Sequence, residues 1–180
     1  MAFLSLFIAA LLIAADQVSK YFVIQNLKPI GSVPVIEGFF NLTYLENKGA
    51  AFGFMQNLQW FFIPATIIGC TALTIVLFRY KKHTFLSYVS LLLVIAGGIG
   101  NLIDRIYLGY VVDFFDFPFF GYIFNVADCC VTVGAVLLII TVFLHDKRDR
   151  VEKQRELENS ESGEDESEES GETESQADIS

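Results

Sequence analysis

Two aspartates stand out by their surroundings. Asp113 sits in Val111-Val112-Asp113-Phe114, and Asp128 closes Phe124-Asn125-Val126-Ala127-Asp128, so each carboxylate is embedded in an apolar or aromatic run. Near a dry boundary two adjoining carboxyl groups cannot both ionise cheaply; they share a proton and titrate as a pair. One can then activate a water while the other protonates a carbonyl oxygen and later the leaving group, chemistry that requires neither metal nor covalent nucleophile. Each residue also has a plainer reading. Asp128 stands three residues after Asn125 and could simply complete a capping box at a helix start. Asp113 could be an interfacial acid reaching for water, and Asp116, three residues on, competes for its role; spacing alone does not choose.

Further polar residues accompany the pair. Gly97-Gly98-Ile99-Gly100-Asn101-Leu102-Ile103-Asp104-Arg105 joins close-packing glycines to an amide and a guanidinium. Arg105 could hold carbonyls or a lipid headgroup, or Asp104 and Arg105 could form a surface pair on a tightly packed helix. Asp16 and Lys20, at i and i+4, face one side of a helix and suggest an ion pair. No Gly-x-Ser-x-Gly, His-Glu-x-x-His or Walker-type loop is present, nor a basic recognition surface, which excludes serine hydrolase, zincin, nucleotide-binding and nucleic-acid readings. Cys70, Cys129 and Cys130 lie in apolar runs without a Cys-x-x-Cys spacing, and His83 and His145 adjoin basic clusters, so no metal or other cofactor is expected.

The elements that must position these residues are membrane helices. The 180 residues are 53% hydrophobic, and the stretches 3–24, 58–78, 84–103 and 124–144 each approach or reach bilayer-spanning length. Asp16 interrupts the first of them, but a basic leader that would make it a secretory signal is missing. The net charge of −9 is local: residues 1–158 carry 12 acidic and 12 basic side chains, while residues 159–180 hold nine acids and no base. That tail is expected to be disordered. Eight of the 12 Lys and Arg lie at 79–82 and 147–155, so the positive-inside rule puts both termini in the cytoplasm and leaves 25–57 and 104–123 outside. Asp16, Lys20, Asn47, Asn101, Asp104, Arg105, Asp113, Asp116, Asn125 and Asp128 then gather at the outer interface, where ionisable groups are costly and by default functional or paired. Segments 34–40 and 41–45 suggest a small extracellular sheet, and Asn47–Phe54 a short interfacial helix or loop. The expected organisation is one four-helix transmembrane domain over 1–146, a basic juxtamembrane segment over 147–158 and the acidic tail over 159–180.

These separated motifs resemble the lipoprotein signal peptidases, the signal peptidase II family of bacterial aspartic endopeptidases. Asp16-Gln17-Val18-Ser19-Lys20 is similar to the family's D-x-x-x-K element, Asn47-Lys48-Gly49-Ala50-Ala51-Phe52 to its N-x-G-x-x-F element, and Gly100-Asn101-Leu102-Ile103-Asp104-Arg105 to its G-N-x-x-D-R element. The segments around Asp113 and Asp128 resemble those bearing its catalytic aspartates. The resemblance covers residues 1–145 and implies a catalytic Asp113–Asp128 dyad, with Asn47, Gly97, Asn101, Arg105 and Asn125 lining or ordering the site and Asp16 and Lys20 steadying the extracellular layer near it. It implies a prolipoprotein substrate cleaved on the amino side of a diacylglyceryl-modified cysteine, in the bacterial cytoplasmic membrane, by an enzyme expected to be monomeric. Two features depart from the family. The link from Asp113 to Asp128 is short, 15 residues, and the acidic tail lies outside the family core. The rival readings are a proton-coupled carrier, which would place its carboxylates near the bilayer midplane, and a structural lipid-binding subunit.

Overall fold

The computed structural model describes residues 2–49, 59–81 and 83–177. In chain order the elements are helix α1 (Ala2–Asn26), strands β1 (Ser32–Ile36) and β2 (Phe40–Asn47), helices α2 (Gln59–Arg79) and α3 (Phe85–Tyr107), strands β3 (Val111–Asp116) and β4 (Ile123–Phe124), and helix α4 (Val126–Ala177). Four stretches within the helices are long and apolar enough to cross a bilayer: Ser5–Asn26, Phe61–Arg79, Phe85–Tyr107 and Val126–Arg155. They bear large exposed apolar side chains such as Phe7, Phe22, Ile68 and Phe143. In water this surface would drive aggregation, whereas facing lipid it is matched. The expectation of a largely helical membrane protein with four spanning helices and a small sheet holds. The interfacial element expected over Asn47–Phe54 lies, from Ala50 onward, outside the described residues.

The chain forms two compact units, 1–138 and 139–180. In the first, α3 is the central helix and packs against α1 and α2. Its buried positions, Ser87, Ser90, Leu91, Leu92, Ile95, Ala96, Gly97, Gly100, Asn101 and Asp104, recur every three or four residues, the spacing of one helix face. The lower part of that face is apolar and forms a core of Leu91, Leu92, Ile95 and Ala96 with Ala9 and Leu77. Toward the C-terminal end of α3 it turns to glycine, amide and carboxylate. The glycines permit close contact: a Cβ on Gly134 of α4 would fall 2.8 Å from Val94 and 2.9 Å from Leu93. In the second unit the helical backbone of α4 continues through 147–158 and into the acidic stretch to Ala177. Glutamate is a favourable helix residue locally, but this stretch offers almost nothing to bury.

The strands form one antiparallel sheet of order β1-β2-β3-β4. Its attachment to the bundle is set by the turn after α3. Leu108 donates its N–H back to the Asp104 carbonyl, and Gly109 takes a φ of 81°, the left-handed conformation that glycine adopts without strain after a helix C-terminus. The chain thereby doubles back, and β3 packs against α1 and α3 with Val111 to Phe114 buried.

Candidate active site

The register of β2 against β3 begins the site. Asn47 pairs with Val111 and Leu45 with Asp113, so Asn47 and Asp113 are diagonal neighbours on one face of the sheet. Asn47 Nδ2 donates to Asp113 Oδ2 at 2.8 Å, and Asn47 Oδ1 accepts from Gly49 N–H at 2.9 Å, which fixes the amide's orientation. Asp116, of opposite parity on the strand, accepts from Thr43 Oγ1 at 2.7 Å and Asn41 Nδ2 at 3.5 Å, partners it does not share with Asp113.

The first turn of α4 supplies the rest. Asn125 Oδ1 accepts from the Asp128 N–H at 2.8 Å while Asp128 Oδ2 accepts from the Asn125 N–H at 3.3 Å, the reciprocal capping box read from the spacing. Capping leaves the Asn125 amide nitrogen free to reach inward. Nδ2 donates to Asp113 Oδ1 at 2.5 Å and to Asn101 Oδ1 at 3.1 Å, and Asn101 Nδ2 donates to Asp128 Oδ1 at 2.7 Å. Two amides thus link the two aspartates in an unbroken chain. Asn125 and Asp113 are wholly buried, and among the described residues no buried side-chain nitrogen or oxygen lacks a partner. Burial, reinforced by the negative charge of Asp128, pushes the Asp113 carboxyl up to about 7; hydrogen bonds from Asn47 and Asn125 oppose the shift.

Beneath this pair lies a second buried polar cluster. Lys20 Nζ contacts Asp16 Oδ2 at 2.9 Å, Asp104 Oδ2 at 3.0 Å and Asn101 Oδ1 at 3.0 Å. The ion pair expected between Asp16 and Lys20 is present, but a surface pair of Asp104 with Arg105 is not: Asp104 is buried and turns to Lys20. Adjacent residues on a helix point about 100° apart, so Asp104 faces the core while Arg105 faces the side. Gln17, to which neither motif nor spacing assigned a role, donates to Asp104 Oδ1 at 3.0 Å and to the Gly100 carbonyl at 3.1 Å. Asp104, expected among the polar residues at the outer end, lies on the 97–101–104 face of α3, and that spacing was the signal for its burial.

A cleft of about 270 Å³ opens beside Asp128, lined by Cys70, Gly98, Asn101, Arg105, Asp128 and Val131 among others. Arg105 donates to the Asn101 carbonyl at 3.2 Å and lies 5.4 Å from the Phe62 ring centroid, leaving guanidinium donors for a bound group. Gly97, expected to line or order the site, meets α4, its missing Cβ making room for Val131 and the Ala127 carbonyl, while Gly98 lines the cleft.

Four apolar helices, a small sheet and a cluster of buried carboxylates at their junction place the protein among multi-pass membrane enzymes. A solved structure described as "Bacterial membrane enzyme structure by the in meso method at 2.3 A resolution" matches with a TM-score of 0.72 and 38% identity, covering 80% of this chain and 90% of that one. A second, described in the same words at 1.9 A, gives 0.69 and 40%, covering 77% and 91%. The chain belongs to the signal peptidase (SPase) II family, whose model matches residues 8–144. Its relatives include the lipoprotein signal peptidase of Caldanaerobacter subterraneus subsp. tengcongensis, 47% identical over 135 residues, 75% of this chain and 92% of the relative. That of Clostridioides difficile is 44% identical over 148 residues, 82% and 99% respectively.

Proposed function

We propose that this protein is a lipoprotein signal peptidase of the aspartic type, in which Asp113 and Asp128 hydrolyse the peptide bond on the amino side of a diacylglyceryl-modified cysteine. The observation that carries the reading is the amide chain Asp113–Asn125–Asn101–Asp128 beside a cleft that reaches Asp128. Such a chain holds two carboxyl groups at fixed orientation without neutralising either.

The steps follow from where protons sit. Asp113, whose carboxyl is pushed up to about 7, is assigned the pair's proton, and Asp128, which lines the cleft, the part of the carboxylate. Asp128 takes a proton from a water whose oxygen bonds to the scissile carbonyl carbon, and Asp113 gives its proton to the carbonyl oxygen. The tetrahedral diol collapses as the C–N bond breaks; the amine nitrogen receives a proton from Asp128, and Asp113 recovers one from the collapsing diol. The pair ends as it began. Arg105, in the cleft, orients carbonyls of the bound signal segment or its lipid headgroup. The Lys and Arg clusters at 79–82 and 147–155 support cytoplasmic termini and a site at the outer interface, within reach of a lipid-bearing cysteine. Nothing in the reading requires a second copy of the chain.

The test is cleavage of a purified diacylglyceryl-modified prolipoprotein by the detergent-solubilised full-length protein, Asp113→Asn and Asp128→Asn. Each substitution is expected to lower kcat by about 10²–10⁴-fold, the range for loss of a general acid or base. Undiminished cleavage by either purified variant overturns the pair assignment.

A further inference from the structure

We propose that Lys20 is a positioning residue for the aspartate pair, acting through the amide of Asn101 and through the two carboxylates it bridges; this rests on the aspartate reading above. An ammonium can only donate, with three N–H groups, and Lys20 Nζ faces three acceptors at 2.9, 3.0 and 3.0 Å: Asp16, Asp104 and Asn101. It is therefore saturated, and it is 3% exposed. The consequence falls on Asn101. With its oxygen drawn to the ammonium, its nitrogen must face the other way, and that nitrogen is the donor to Asp128. Turned over, the amide would present its N–H₂ to the ammonium and its oxygen to the Asp128 carboxylate, a repulsive contact at each end. Asn125, whose nitrogen also donates to Asn101 Oδ1, would lose its acceptor.

The bridged carboxylates reach the same two aspartates along the backbone. Asp104 Oδ2 accepts the N–H of Val112 at 3.0 Å, and Asp16 Oδ1 accepts the N–H of Ala127 at 2.9 Å. Val112 and Ala127 immediately precede Asp113 and Asp128. A single ammonium thus holds together the two anions that anchor β3 and the head of α4, at the residue before each aspartate. Without it, Asp16 and Asp104 would stand as neighbouring buried anions and repel.

A merely structural lysine would lower stability, and its effect on kcat would multiply with that of any other site. A lysine acting through Asn101 would not, which a double-mutant cycle measures. We would compare kcat and KM of wild type, Lys20→Met, Asn101→Ala and the double variant on the diacylglyceryl-modified prolipoprotein, per folded molecule, with Asp113→Asn alongside. Lys20→Met should lower kcat about 10-fold or more with KM within about 2-fold, and the double variant should be within about 3-fold of the worse single one. Because Lys20→Met leaves two unpaired anions and could fail to fold, the cycle is repeated with Asp16→Asn/Lys20→Met in its place. That replacement removes one charge of each sign and keeps an oxygen for the Ala127 N–H. Multiplicative losses, or wild-type kcat in a folded Lys20 variant, overturn the proposal. If Asp113→Asn cleaves at the wild-type rate, the aspartate reading has failed; if it is inactive while the Lys20 variants are normal, only the Lys20 role has.

Discussion

A carboxylic acid that titrates near neutrality ties catalysis and stability to the same proton. Asp113 is pushed from 3.8 up to about 7, first by burial and second by the charge of Asp128. If the pair works with one proton, kcat should fall as pH rises above about 7, where Asp113 loses it. The stability effect has the same sign. The native protein binds more protons than the unfolded chain between about 4 and 7, so the contribution of Asp113 is most favourable below 4 and is lost as pH rises through 7. Asp113→Asn cannot ionise; its oxygen can accept from one of Asn47 and Asn125, while its N–H₂ meets the N–H₂ of the other, a loss that does not depend on pH. Its melting temperature in detergent should therefore decline less between pH 5 and pH 9 than that of wild type. Parallel pH slopes for the two proteins would mean that Asp113 is not the acid carrying this proton.

At the scale of elements, the glycines of α3 set how closely α1, α2 and α4 approach the polar cluster. A Cβ on Gly100 would fall 2.7 Å from Asp16 Oδ2 and 3.2 Å from the Ala127 Cβ, pressing on the contact that joins α1 to the head of α4. Gly100→Ala should destabilise the protein by about 1–3 kcal/mol, the usual cost of overpacking. Gly69 of α2 has nothing within 4 Å of such a Cβ, so Gly69→Ala should leave the melting temperature unchanged or raise it slightly through helix propensity. Equal effects would show that the close approach at Gly100 is not a constraint. The same elements mark how much the sequence disclosed. The spans, the Asp16–Lys20 pairing and the Asn125–Asp128 cap were legible because each is local, set by apolar run length or by spacings of four and three. That Lys20 also joins Asn101 and Asp104 was not, since those partners lie more than 80 residues away and are brought in only by α1–α3 packing. Nor could Gly97 be told from Gly98. Neighbouring residues on one helix face different partners, and which faces α4 depends on a rotation that pattern alone does not fix.

At the scale of the molecule, charge and chemistry are separate. The carboxylates, amides and guanidinium of the candidate site all fall before residue 129, and the family match ends at 144. The whole net charge of −9 comes from residues 159–180, since the 158 residues before them balance. Ion pairs buried at the site interact over a few ångströms, whereas charges in water are screened within about 8 Å at physiological ionic strength. An acidic stretch with almost nothing to bury acts through water only over that range, too short to tune the buried Asp113 and Asp128 by diffuse charge alone. A chain ending at Glu158 should keep kcat and KM for the diacylglyceryl-modified prolipoprotein within about 2-fold of the full chain, since every residue assigned to the site precedes it and screened charge in water carries little to them. Its net charge should return to zero, which would show as lower colloidal solubility near neutral pH. A loss of kcat on truncation, at unchanged melting temperature, would assign the tail a part in turnover; loss of yield alone would assign it to solubility.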